Sequence, residues 1–131
     1  MLLRQQDQDG CAALLDGGTK GHAPSLAGVL VVTRFEVPEA ESDEFLEQAR
    51  TALAALAARD GYLQGRIGRA ADDPTAWVMT TEWSGVGAYR RSLSPYDVKV
   101  ALAPLMARGR DEASAFEILV RDEEVRKTDR A

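Results

Sequence analysis

The chain has a single cysteine, Cys11, so no internal disulfide can form and disulfide-built secreted folds are excluded. No histidine or lysine pattern surrounds Cys11, and nothing there would stabilise a thiolate. The one histidine, His22, lies in the N-terminal stretch rich in Gln, Asp and Gly. The acidic pairs Asp72-Asp73 and Glu123-Glu124 lack the further ligands a metal site needs, so no metal is expected. Positive charge is also scarce. Lys and Arg number 16 against 21 Asp and Glu, a formal charge of −5 that argues against a nucleic-acid partner. No apolar run approaches the roughly 20 residues of a membrane span, so no membrane partner is expected. Leu2 and Leu3 are followed at once by Arg4-Gln5-Gln6-Asp7, unlike a secretory signal, and a cytoplasmic location is expected.

What the chain does have is enough apolar residue for one core: 45% hydrophobic over 131 residues, the size of an ordinary domain. Residues 1–27, rich in Gln, Asp and Gly, read as a flexible leader, 28–122 as the folded domain, and 123–131 as a charged tail. The domain opens with a valine-rich strand, 29–37, stopped by Pro38. Ser42 is a suitable helix N-cap, and Phe45, Leu46, Ala49, Leu53, Leu56 and Ala57 recur at helical spacing until Gly61. Strands are expected from Tyr62 to about Ala71 and from Ala76 to Ser84, joined by the turn cluster Asp72-Asp73-Pro74-Thr75. In the second of these, Trp77, Met79, Thr81 and Trp83 share one face and Val78, Thr80 and Glu82 the other. A helix from Gly85 breaks at Ser94-Pro95, where Ser94 can cap a second segment running to Gly109. A last strand is expected from Ala113 to about Arg121.

The order strand, helix, strand, strand, helix, strand predicts an α+β domain: a ferredoxin-like βαββαβ fold with a four-stranded antiparallel sheet covered by helices on one face. The other face keeps apolar side chains that a single layer of helices cannot bury. A two-fold homodimer through that open face is the simplest remedy.

The stretch from Met79 to Arg91 places Trp83 at a strand end and Tyr89 early in the next helix. Two aromatics with polar edges, so close in the chain, can line a pocket for a flat, partly polar molecule. Each also has a plainer use, Trp83 as core and Tyr89 as packing at a helix start. Gly85-Val86-Gly87 follows a strand but lacks the third glycine of a dinucleotide fingerprint, with Arg90 in its place.

These residues carry a family likeness. Val31-Val32-Thr33-Arg34-Phe35 with the Ser-Asp-Glu-Phe helix start, the strand end Glu82-Trp83, and the run Ala88 to Tyr96 resemble the antibiotic biosynthesis monooxygenase family of dimeric α/β barrels. The resemblance implies a monomer whose sheet pairs with its mate's into a barrel, and a pocket between the sheet and the second helix. Characterised members oxidise anthrones or quinols with molecular oxygen and no metal or flavin, so a small aromatic substrate, oxygen and no cofactor are implied. A haem-degrading branch places an iron-ligating histidine about 9 to 11 residues past the tryptophan, where this chain has Ser92, Leu93 and Ser94. Haem degradation is therefore not expected.

In the anthrone-oxidising branch a tryptophan and a tyrosine six residues later hold the substrate's oxygens, a spacing that Trp83 and Tyr89 match. That pair is the implied catalytic site. Its neighbouring substrate contacts would be Met79, which stands where that branch has an asparagine, with Tyr96 and Arg34. Arg34 would supply a counter-charge to a substrate anion if it faces the helices. Glu82 falls on the opposite strand face from Trp83 and suits an ion pair better than a base. The alternative function is a non-catalytic dimeric module that binds a small hydrophobic ligand.

Overall fold

A computed structural model describes residues 28–110 and 114–125. The expected leader, with Cys11 and His22, and positions 126–131 of the expected tail lie outside the described residues. In chain order come β1 (Val29–Glu36), a 3-10 turn (Glu39–Glu41), α1 (Ser42–Ala57), β2 (Tyr62–Ala70), β3 (Asp73–Trp83), α2 (Val86–Ser92), α3 (Tyr96–Met106) and β4 (Ala115–Glu117). The four strands form one antiparallel sheet in the order β2-β3-β1-β4. This is the expected βαββαβ arrangement.

Alternation along the strands decides which side chains meet the helices. In β1, Val29, Val31 and Phe35 are buried, while Leu30, Arg34 and Glu36 are exposed. In β3, Trp77, Met79, Thr81 and Trp83 are buried on the corresponding face. Against them α1 lays Phe45, Ala49, Ala52 and Leu56, all buried. The small side chains of Ala49 and Ala52 let the helix axis approach the sheet closely. Val98 and Leu105 of α3 complete the layer. An ion pair between Arg108 and Glu41 ties the end of α3 to the approach of α1.

Local signals act mostly as their chemistry directs. Gly61, a few residues past the end of α1, takes a φ of +89°, a conformation glycine adopts without strain. Its carbonyl accepts from the Ser84 N–H at 2.8 Å, which brings the start of β2 beside the end of β3. Ser42 is not the N-cap. It is the first residue of α1, and its hydroxyl donates to the Glu39 carbonyl at 2.8 Å, closing the preceding 3-10 turn. Ser94 does not cap α3 either, because Pro95 takes the cap position with extended backbone and the helix begins on Tyr96.

The last strand is shorter than the alternation of its sequence implies. Among the described residues Ala115–Glu117 pairs with β1, flanked by bonds from the Val32 N–H to the Ser114 carbonyl at 2.7 Å and from the Ile118 N–H to the Gly28 carbonyl at 2.9 Å. The chain then turns so that Arg121 Nη1 meets Glu82 Oε2 at 2.7 Å on the helix-free face of the sheet. Phe116 lies opposite Leu30 on that same face, and both remain partly exposed.

Candidate functional site

β3 carries a tryptophan near each end of its buried stretch, and two aromatic groups form around them. At the C-terminal end, Trp83 is fully buried. Strand periodicity sets Thr81 two residues back on the same face, and the Trp83 Nε1–H donates to Thr81 Oγ1 at 2.9 Å. The Tyr62 ring stands edge-on to Trp83 at 5.4 Å between centroids, and the Tyr89 ring lies tilted at 6.0 Å. Two tyrosines therefore flank one tryptophan.

Each tyrosine is placed by its local backbone. Gly61 turns the chain so that β2 begins on Tyr62, opposite Trp83 in the sheet. Gly65 leaves room for the phenol: a Cβ there would lie 2.5 Å from Tyr62 Oη and 2.8 Å from Leu53 Cδ1. Tyr89 sits in the first turn of α2, where its N–H bonds the Gly85 carbonyl at 3.2 Å. Neither phenol hydroxyl has a hydrogen-bond partner among the described residues. Burial raises the Tyr62 pKa above the ordinary phenol value, because the phenolate would be poorly solvated. The Tyr62 hydroxyl is thus held in its neutral, donating form, and both phenol groups can donate to an acceptor.

Of the residues singled out in the sequence, the structure brings together Trp83 and Tyr89, with Met79 buried on the same strand face. Met79 stands opposite Thr33 and Ile67, and its thioether offers no N–H or O–H. Arg34 does not face the helices. It is exposed on β1 opposite Val78, on the other face of the sheet from Trp83, because Phe35 next to it takes the buried side. Tyr96 is 81% exposed. With Val98 turned into the core two residues later, Tyr96 falls on the outer side of α3. Arg34 and Tyr96 therefore share no space with Trp83 in the single chain.

Sequence reasoning passed over Tyr62 and Thr81. Thr81 was legible as a same-face neighbour of Trp83, but a hydroxyl at that spacing can also stay unbonded. The Tyr62 contact depends on strand register, which shifts between Tyr62 and Gln64. Glu82 behaves as its strand face implies. It is 9% exposed, with Oε1 accepting from Gln64 Nε2 at 3.0 Å and Oε2 from Arg121 Nη1 at 2.7 Å. The Arg121 bond, then the Gln64 bond, lowers its pKa below the ordinary glutamate range. A carboxylate so held is a poor general base.

Near the other end of β3, Trp77 packs edge-on to Phe45 at 5.2 Å, and Phe45 in turn lies 5.2 Å from Phe35. Arg69 reaches over Trp77, with its guanidinium carbon 5.3 Å from the ring centroid. The Trp77 Nε1–H is buried without an acceptor among the described residues. An open cleft of about 280 Å³ lies here, lined by residues including Arg34, Arg69, Trp77, Val78 and Arg110.

Among the described residues no group of three or more His, Cys, Asp and Glu side chains could hold a metal ion. Asp73 is occupied locally, with Oδ1 accepting from the Thr75 N–H at 3.0 Å and the Thr75 hydroxyl at 2.7 Å. No helix among these residues is long and apolar enough to cross a membrane.

Residues 28–101 match the family model described as antibiotic biosynthesis monooxygenase. Among solved structures, the chain is similar to SnoaB, a cofactor-independent oxygenase from Streptomyces nogalater, with 23% identity, a TM-score of 0.60, and 72% of this chain and 94% of that one covered. A mutant of SnoaB aligns at 26% identity with a TM-score of 0.55, over 72% of this chain and 93% of that one. A conserved protein from Methanosarcina mazei Go1 shares 15% identity with a TM-score of 0.62, over 75% of this chain and 97% of that one. No curated protein matches the sequence.

Proposed function

We propose a function from one premise: the chain belongs to the antibiotic biosynthesis monooxygenase family. On that premise it is a cofactor-independent monooxygenase that transfers one atom of molecular oxygen to a small aromatic substrate, a phenol, quinol or anthrone. The observation that carries this reading is the pair of phenol groups, Tyr62 and Tyr89, beside Trp83 with no hydroxyl partner among the described residues. The SnoaB likeness supports chemistry without a cofactor.

The chemistry asks little of the protein beyond solvation and orientation. An anthrone or phenol loses a proton to give a delocalised anion, and that anion gives one electron to oxygen. The resulting radicals combine into a carbon–oxygen bond, and cleavage of the O–O bond releases water. For an anthrone the net change is a methylene and O2 to a carbonyl and H2O. Phenol hydroxyls stabilise the substrate's anionic oxygen by donating hydrogen bonds to it. Trp83, fully buried, holds the Tyr62 and Tyr89 rings beside it, and Met79 adds apolar bulk that keeps water away. In this reading Tyr89 and Tyr62 are the donors. Trp83, whose N–H is engaged by Thr81, positions the two tyrosines.

The open sheet face enters the same proposal. Leu30, Val32 and Phe116 lie on it, with Leu30 37% and Phe116 44% exposed. A second copy laid across this face would bury them.

Oxygen uptake by metal-free protein against a panel of anthrones, quinols and phenols tests the activity. Turnover is expected with at least one of them, and Tyr89→Phe should lower it at least about tenfold, as loss of an oxyanion donor does elsewhere. An unchanged rate would remove Tyr89 from the site. One observation favours the second reading, a non-catalytic dimeric binding module: Trp83 is fully enclosed, as a plain core residue would be. Silence across the whole panel would select that module.

A further inference from the structure

We propose that the cleft near the β2–β3 hairpin is a binding site for a small organic carboxylate with an apolar body, separate from the Trp83 region and independent of the monooxygenase reading. The cleft lies where β1 and β2 end and β3 begins. Register sets Arg69 and Phe35 beside Trp77, and Arg34 and Gly68 beside Val78. Because those two rows point to opposite faces, the cleft takes its lining from both sides of the sheet end.

Three features suit one ligand chemistry. First, Arg34, Arg69 and Arg110 all line the cleft in a chain whose net charge is −5. Arg110 contacts the Glu36 carboxylate only at 3.4 Å, and Arg69 lies over the Trp77 ring. A guanidinium fork matches a planar carboxylate, and both arginines are exposed enough to turn toward one. Second, the Trp77 side chain is 6% exposed, yet its Nε1–H is buried without an acceptor. A buried donor left unpaired is costly, and a bound carboxylate oxygen is an acceptor of the required kind. Third, the remaining lining is apolar, from Phe35, Ala70, Ala76 and Val78. A volume of about 280 Å³ suits a one-ring molecule and is small for a larger one.

The test uses the two tryptophans as reporters. In a ¹H–¹⁵N spectrum of the full chain the indole signals are assigned with Trp77→Phe, and benzoate, benzyl alcohol and inorganic phosphate are titrated separately. Benzoate should move the Trp77 indole signal saturably while the Trp83 signal stays in place. Benzyl alcohol, which keeps the ring but lacks the charge, should not. Arg69→Gln and Arg110→Gln should each weaken benzoate at least about tenfold, as loss of a charge-assisted contact does. An unmoved Trp83 signal in these variants shows that they remain folded. A Trp77 signal that ignores benzoate overturns the proposal. So does an equal response to benzyl alcohol, or phosphate binding as tightly as benzoate, which would make this a site for free inorganic anions.

Discussion

Trp77 and Trp83 occupy the same face of one strand, are both buried, and differ in almost everything else. Trp83 has its N–H satisfied by Thr81 and two phenols around it. Trp77 has an unsatisfied N–H, two phenylalanines on the core side and a guanidinium over its ring. Burial alone therefore says little about what a tryptophan does. The polar atoms around it say more. At the Trp83 end the free donors are the neighbours' hydroxyls, which suits a neutral or weakly acidic phenol. At the Trp77 end the free donor is the indole itself, among cations, which suits an anion.

Substitutions can break or sharpen this contrast. The largest effect should come from Trp83→Ala, which leaves a cavity in a fully enclosed site and should cost about 3–5 kcal/mol in denaturant unfolding. A more pointed comparison sets Trp83→Phe against Trp77→Phe. Both lose part of a ring, but only the first removes a hydrogen bond and leaves the Thr81 hydroxyl buried and unpaired. Trp83→Phe should be the more destabilising by about 1 kcal/mol. Equal losses would mean that the two indoles are alike in solution.

Smaller changes should follow at the tyrosines. Their hydroxyls have no partner among the described residues, so Tyr62→Phe and Tyr89→Phe should alter stability by less than about 0.5 kcal/mol. Any activity should nonetheless fall in both, and a loss of stability instead would identify structural hydroxyls. The smallest effect belongs to the opposite face of β3. Glu82 has its folded pKa lowered, first by the Arg121 bond, so its contribution is present above the ordinary glutamate value of about 4.3 and fades as pH falls through the lower folded value. Urea midpoints of the native chain and Glu82→Gln should differ at neutral pH and converge in acid. A gap that persists at low pH would mean the carboxylate contributes by packing alone.

How much of this was legible in the sequence depended on range. The valine-rich β1 and the helix from Ser42 rest on local periodicity and stand where the residues put them, while Gly61 takes a positive φ although α1 already ends at Ala57. The shared face of Trp77, Met79, Thr81 and Trp83 follows from a period of two. The placement of Glu82 on the far face follows from the same period. Features that depend on contacts distant in the chain were hidden. Tyr62 meets Trp83 through a cross-strand register that a bulge displaces. The face of Arg34 stayed open because alternation reveals two faces without naming the covered one, until Phe35 is seen in the core. Tyr96 follows a proline break whose outgoing helix phase no local rule sets. β4 is short, and beyond it Arg121 pairs with Glu82, a partner far earlier in the chain.

The central claim is that the region around Trp83 and its two tyrosines moves oxygen from O2 to a phenolic substrate. The most direct measurement supplies metal-free protein with an anthrone under ¹⁸O2 and weighs the product. We expect one labelled oxygen per product molecule, formed faster than without protein and more slowly with Tyr89→Phe. Product formed no faster than in buffer, or with its new oxygen drawn from water, would contradict the claim.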